Sequence, residues 1–144
     1  MNLIENSEPV KKENPKMINP NAVYQTTALG YSQAIVHGDL LFSSGMVGWD
    51  IHHELIDNKG FTDQVNQSFF NLNQILKSEN HDMESIIHLR FYVVDLNETK
   101  RSIIGLFLKK YFPNKHKPAT TLLGVESLAR KELLVEIEMI AKIT

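Results

Sequence analysis

The 144-residue sequence contains no cysteine. That excludes disulfides, thiol nucleophiles and thiolate metal sites, and it fits a reducing compartment. No apolar run approaches the roughly 18 residues that a membrane span requires. Acids at Glu5 and Glu8 interrupt the N-terminus, which therefore does not read as a secretory signal. A basic surplus is missing too. Lys and Arg number 15 against 17 Asp and Glu, a formal net charge of -2, whereas general nucleic-acid and anionic-membrane binders carry a clear positive excess. The chain reads as a soluble cytoplasmic protein of one domain, long enough to bury its own core.

Met1 to Pro20 holds three of the five prolines and no apolar period, and is expected to be a mobile arm preceding a single domain over residues 21–144. Order is expected to begin near Ala22, with a short strand at Val23 to Thr27 and a loop at Leu29 to Gln33. Ala34 to His37 and Leu40 to Ser44 flank Gly38-Asp39, a two-residue turn signal that predicts a hairpin. Gly48 to Gly60 is a polar loop. Thr62 is a candidate N-cap for a helix in which Val65, Phe69, Leu72 and Leu76 share one face, ending near Asn80. The opposite side of that helix, rich in Asn, Gln, Ser and Lys, is expected to face solvent. Ser85 to Asp95 is the longest strand signal, Glu98 to Tyr111 a second helix, and Phe112-Pro113-Asn114 its end.

The last stretch organises the rest. In an extended chain alternate side chains share a face. Leu133, Val135, Ile137, Met139 and Ala141 make one wholly apolar face; Leu134, Glu136, Glu138 and Ile140 make the other, with acids at its centre. The Ser85–Asp95 strand has the same character, with His88, Arg90, Tyr92 and Val94 opposite the apolar set Ile87, Leu89, Phe91 and Val93, which is expected to face the core. Strands and helices in this order predict an α+β fold, a mixed sheet with two helices on one face. A second sheet face that mixes acids with large apolar groups predicts cover by another copy of the chain, with ligand sites where copies meet.

Tyr31-Ser32-Gln33-Ala34, Leu41-Phe42-Ser43-Ser44-Gly45, the helix with Gln64 and Asn71-Leu72, Val94-Asp95-Leu96, Tyr111-Phe112-Pro113, Pro118-Ala119 and Leu134-Val135-Glu136-Ile137-Glu138 occur in that order. Over about Leu29 to Ala141 the sequence resembles the Rid family, also called the YjgF/YER057c/UK114 family. The resemblance implies a chorismate-mutase-like fold, a homotrimer and cofactor-free clefts between subunits. In its best-known members those clefts hydrolyse reactive enamines and imines to ammonia and a 2-oxo acid. Those members carry an arginine after the Pro-Ala pair that clamps the substrate carboxylate. Thr120 stands there in this sequence, and Gly105 stands where they have a helix asparagine. A threonine hydroxyl offers one neutral hydrogen bond in place of a bidentate charged pair, a deficit of roughly 1–3 kcal/mol.

The resemblance makes Glu136 the catalytic candidate, a carboxylate that takes a proton from water and returns one to the departing nitrogen. Ser44 would assist it, and Gly45 would offer a backbone N–H. Tyr31 would wall the cleft and Thr120 would bond a neutral ligand. Arg90 would either supply a cation to the cleft or pair with Glu136 or Glu138. Trp49 would either close over a ligand or pack as a loop aromatic, and Glu138 reads as structural. Asp50, His52, His53 and Glu54 lack the helical spacing of a metal site, so no metal is expected. Two other functions remain open: a trimer that binds a small metabolite without turning it over, and an RNA contact through Lys109, Lys110, Lys115 and Lys117.

Overall fold

The computed structural model describes residues 13–56 and 60–144. Six strands form one sheet: β1 Lys16–Ile18, β2 Ala34–His37, β3 Leu40–Ser43, β4 Ile86–Val94, β5 Ala119–Val125 and β6 Val135–Lys142. Their order across the sheet is β1-β2-β3-β6-β4-β5. Only β4 and β5 run parallel, joined by the crossover helix α2, Glu98–Tyr111; the other pairs are antiparallel. Helix α1, Phe61–Ser78, connects β3 to β4. The result is the expected mixed sheet with two helices on one face.

The hairpin forms at Gly38-Asp39, with Gly38 at φ 60 supplying the left-handed turn residue. Helix α2 begins where its cap chemistry dictates, the Asn97 side chain accepting the Lys100 N–H at 2.9 Å. Helix α1 ends in a Schellman turn: Asn80 lies at φ 60, its N–H reaches Lys77 O, and His81 N–H reaches Leu76 O, both at 3.0 Å.

Several expectations are corrected. The arm expected up to Pro20 is ordered at its end, because Lys16–Ile18 pairs with β2 and Ile18 is buried; residues 1–12 lie outside the described residues. No strand forms at Val23 to Thr27. The segment curls into a 3-10 turn at Thr27–Leu29, and its polar backbone is satisfied by Gln33, whose Nε2 donates to Pro20 O, Val23 O and Tyr24 O. Helix α1 is preceded by Gly60, not Thr62. Gln64, Ser68 and Asn71 are buried rather than solvent-facing. They hold loops: Asn71 Nδ2 binds Val47 O and Trp49 O, while Gln64 takes the Leu134 N–H and donates to Glu132 O. A register shift between Ile86 and His88 places Ile86, not Ile87, in the core.

The core lies between the helices and the β4–β6 pair. Leu89, Phe91, Val93, Val135, Ile137 and Ala141 are fully buried against Val65, Phe69, Leu72, Ile75 and Leu76 of α1. Helix α1 sits so close to the loop after β3 that a Cβ on Gly48 would lie 2.9 Å from Gln64 Cα. That atom is helix backbone and cannot step aside. Gly48→Ala is therefore expected to push α1 off the sheet and to lower the urea midpoint by the equivalent of about 1–3 kcal/mol.

Candidate functional site

The alternation of β6 sends Glu136 and Glu138 to the face away from the helices. There the ladder sets Glu138 opposite Arg90 and Glu136 opposite Tyr92. Arg90 Nη1 lies 2.6 Å from Glu138 Oε1, and Tyr92 Oη donates to the same oxygen at 2.8 Å. Glu138 is thus a compensated structural carboxylate, and Arg90 is spent on it. Glu136 has no ion-pair partner among the described residues. Burial, and secondly the negative charge of Glu138, push its carboxyl above the ordinary value of 4.5.

A bulge brings the backbone to this carboxylate. Phe42 faces Ile140, and the next pairing is Met46 with Ile137, so four residue steps on one side match three on the other. Ser43 Oγ fills the interrupted ladder by accepting the Met139 N–H at 2.9 Å. Within the bulge, Gly45 presses on Glu136: a Cβ on residue 45 would sit 1.8 Å from Glu136 Oε1 and 2.6 Å from its carboxyl carbon. Only glycine allows that approach. The Gly45 N–H makes no hydrogen bond among the described residues. Ser44 is beside it, but its Oγ donates to Ser32 O at 2.7 Å and its N–H to Gln33 O. Its hydroxyl proton is therefore spent on the Ser32 carbonyl rather than free for a substrate.

Tyr31 stands on the loop before β2, 44 % exposed, close enough to Glu136 for that charge to add to burial in raising its hydroxyl pKa. Glu136, Gly45, Ser44 and Tyr31 therefore converge within one chain. The other candidates do not join them. Thr120 pairs with Leu89, which pairs with Met139, and both of those are buried beneath the helices. Thr120 consequently lies on the helix side, lining a hollow of about 180 Å³ with Leu108, Lys109, Phe112, Lys117 and Pro118. Trp49 is 8 % exposed, packed edge-on to Tyr24 at 5.3 Å and covered by the Arg130 guanidinium at 5.2 Å. It serves as a loop aromatic, not as a lid. Asp50 accepts the His52 and Glu54 N–H groups, and His53 Nε2 lies 2.8 Å from Gln25 O, so the histidine loop is held by its own turn.

A family model described as Endoribonuclease L-PSP matches residues 21–143. The chain belongs to the Rid family. Among its relatives, a RutC family protein of Pyrococcus horikoshii is 32% identical over 111 residues, covering 77% of this chain and 85% of that one. The human 2-iminobutanoate/2-iminopropanoate deaminase is 26% identical over 111 residues, covering 77% and 78%. The solved structure of RidA from an Antarctic Psychrobacter is 25% identical, with a TM-score of 0.78 over 89% of this chain and 99% of that one. This Rid chain also carries, within electrostatic reach of Glu136, a group that pattern reading passed over. Tyr24 is 2 % exposed, and its Oη accepts the Val47 N–H at 3.2 Å. The sequence signal for it was slight: one tyrosine in a polar stretch with no alternation. No helix of the described residues is long and apolar enough to cross a membrane.

Proposed function

We propose that this Rid protein is a cofactor-free deaminase that hydrolyses small imines, and enamines through their imine form, to a carbonyl compound and ammonia. It acts in the cytoplasm as a homotrimer whose clefts lie between copies. The observation that carries this reading is the uncompensated, half-buried Glu136 wedged against Gly45. Desolvation makes a carboxylate a stronger base than it is in water. Glu136 removes a proton from water as the oxygen attacks the C=N carbon, and the nitrogen takes up a proton to give a carbinolamine. The C–N bond then breaks as the O–H proton is lost and the nitrogen is protonated again, so that imine plus water become carbonyl plus ammonia. The Gly45 N–H stands beside this carboxylate as a donor for the reacting nitrogen or oxygen, and Tyr31 walls the cleft. The name of the human relative, a 2-iminobutanoate/2-iminopropanoate deaminase, points to the same chemistry.

The trimer is supported by the sheet face around Glu136. Phe42 and Leu123 are 42 % and 43 % exposed there, beside the Arg90–Glu138–Tyr92 cluster. Sedimentation is expected to show a species three times the 16.5 kDa chain mass. Phe42→Asp places an unpaired charge on that face and is expected to reduce it to single chains. A trimer that withstands Phe42→Asp would remove this face from the assembly.

A second reading, binding without turnover, is favoured by Thr120, which lies on the helix side away from Glu136 and offers a substrate carboxylate no cation of its own. Ammonia release from 2-iminobutanoate generated in situ separates the two. Release above buffer supports the deaminase. A ligand that raises the melting temperature and is recovered unchanged, with no release, supports the binder. RNA contact through the lysines is disfavoured because two of the four are engaged. Lys110 lies over the Phe107 and Tyr111 rings, and Lys117 Nζ donates to Phe112 O and Asn114 O at the end of α2.

A further inference from the structure

Tyr24 is buried at 2 % exposure, its ring in a three-ring cluster with Trp49 and His53 at centroid distances of 5.3, 5.4 and 5.7 Å. Its backbone carbonyl is fixed by the Gln33 amide at 3.1 Å, so both ends of the residue are held. Its Oη has one protein partner, the Val47 N–H, toward which it is the acceptor. The phenolic proton has no acceptor among the described residues. Buried tyrosine hydroxyls ordinarily find an acceptor, and an unspent buried donor calls for a water or a ligand.

The surroundings say which. Val47 is two residues from Gly45, and Met46 between them is bonded both ways to Ile137, the neighbour of Glu136. The same three-residue segment therefore presents the Glu136 carboxylate at Gly45 and the Tyr24 hydroxyl at Val47. Burial first, and after it the hydroxyl of Tyr31 and the charge of Glu136, raise the Tyr24 phenol above its ordinary range against the lowering pull of the Val47 N–H. The hydroxyl therefore keeps its proton at neutral pH.

We infer that Tyr24 is a positioning residue: its O–H and the Glu136 carboxylate together hold the water that adds to the C=N bond, Tyr24 donating to the water oxygen and the water donating to Glu136. The inference rests on the deaminase reading and deepens it. Two fixed partners orient the oxygen lone pair toward the substrate carbon, where a lone carboxylate would leave the water free to rotate.

Tyr24→Phe keeps the ring contacts and removes only Oη. The variant is expected to lose about 10- to 100-fold in kcat with KM changed less than about twofold, and Glu136→Gln/Tyr24→Phe is expected to be no slower than Glu136→Gln alone. A readout independent of turnover is the carboxyl carbon of Glu136 followed by NMR titration. Losing the water-mediated donor withdraws support from the charged carboxylate, so its midpoint is expected to rise in Tyr24→Phe. If Tyr24 only caps the Val47 N–H, the variant loses melting temperature while kcat per folded molecule and the Glu136 midpoint stay at wild type. That result overturns the inference and, with Glu136→Gln inactive, leaves the deaminase standing. A wild type that releases no ammonia overturns both.

Discussion

Glu136→Gln is expected to lower the rate of ammonia release from 2-iminobutanoate by about 10²- to 10⁴-fold, the usual contribution of a positioned general base. Glutamine keeps the shape and loses the proton affinity, so KM should change little. Gly45→Ala is the companion variant. It retains the carboxylate, but the added methyl would fall 1.8 Å from Glu136 Oε1. The neighbour that must give is the end of a flexible side chain, so the fold should survive while the carboxylate is displaced by an ångström or more. A displacement of that size costs about 10²-fold in rate. Wild-type activity in Gly45→Ala would show that the carboxylate need not occupy its place against the bulge.

The pH dependence has a definite sign. The carboxyl of Glu136 is raised above 4.5, by burial first and by Glu138 second. The acid limb of kcat/KM should accordingly inflect above 4.5, as the base must be ionised to act. Stability runs the other way. A carboxylate whose folded pKa is raised is tolerated while protonated, and the favourable contribution is lost as pH rises through the folded value. Glu136→Gln should therefore melt above wild type at pH 8, and the two curves should converge below pH 4.5. A variant that is less active and more stable at neutral pH is the signature of a strained catalytic group. Equal melting at both pH values would remove the case for a destabilised carboxylate.

Phe69→Ala is expected to cost about 3–5 kcal/mol. Phe69 has no exposed surface and joins three elements. It stacks on Tyr111 at 4.7 Å and Phe107 at 6.0 Å in α2, and meets Phe91 of β4 at 6.0 Å. Few other contacts tie the two helices together, so the hole cannot close by local collapse. A fall in melting temperature of roughly 10 °C at this chain length would follow. Leucine at the same position should recover part of it by filling volume without the ring stack. A loss below about 1 kcal/mol would show that α1 and α2 are held separately by the sheet.

The elements that were legible in the sequence are those with a strong period. The β6 alternation from Leu133 to Ala141 appears in the structure as an apolar face buried to the last residue, and helix α2 spans the residues expected of it. The hairpin followed from Gly38-Asp39. What pattern reading missed was set by side chains reaching across the fold. Gln33 and Asn71 hold loop carbonyls that come from distant parts of the chain, so Val23 to Thr27 becomes a turn although its residues suit a strand. The helix face carrying Gln64 and Asn71 is polar in composition and buried in fact, because its work is hydrogen bonding to loops rather than solvation. At the site, the pairing of Glu136 with Gly45 depends on one extra residue between Phe42 and Met46, and no alternation rule reveals a bulge. Tyr24 was hidden because its segment forms neither strand nor helix, so no periodicity marks its side chain as buried.

The strand at the β5 edge of the sheet has a consequence for how the chain behaves in a crowded solution. Ala119–Val125 has a neighbour on one flank only, is largely exposed, and contains no charge and no proline. An uncharged terminal strand with unanswered N–H and C=O groups accepts any extended segment that drifts by, native or not. Such encounters grow more frequent with concentration, so crowding, rather than dilution, is the stress to which this edge exposes the molecule.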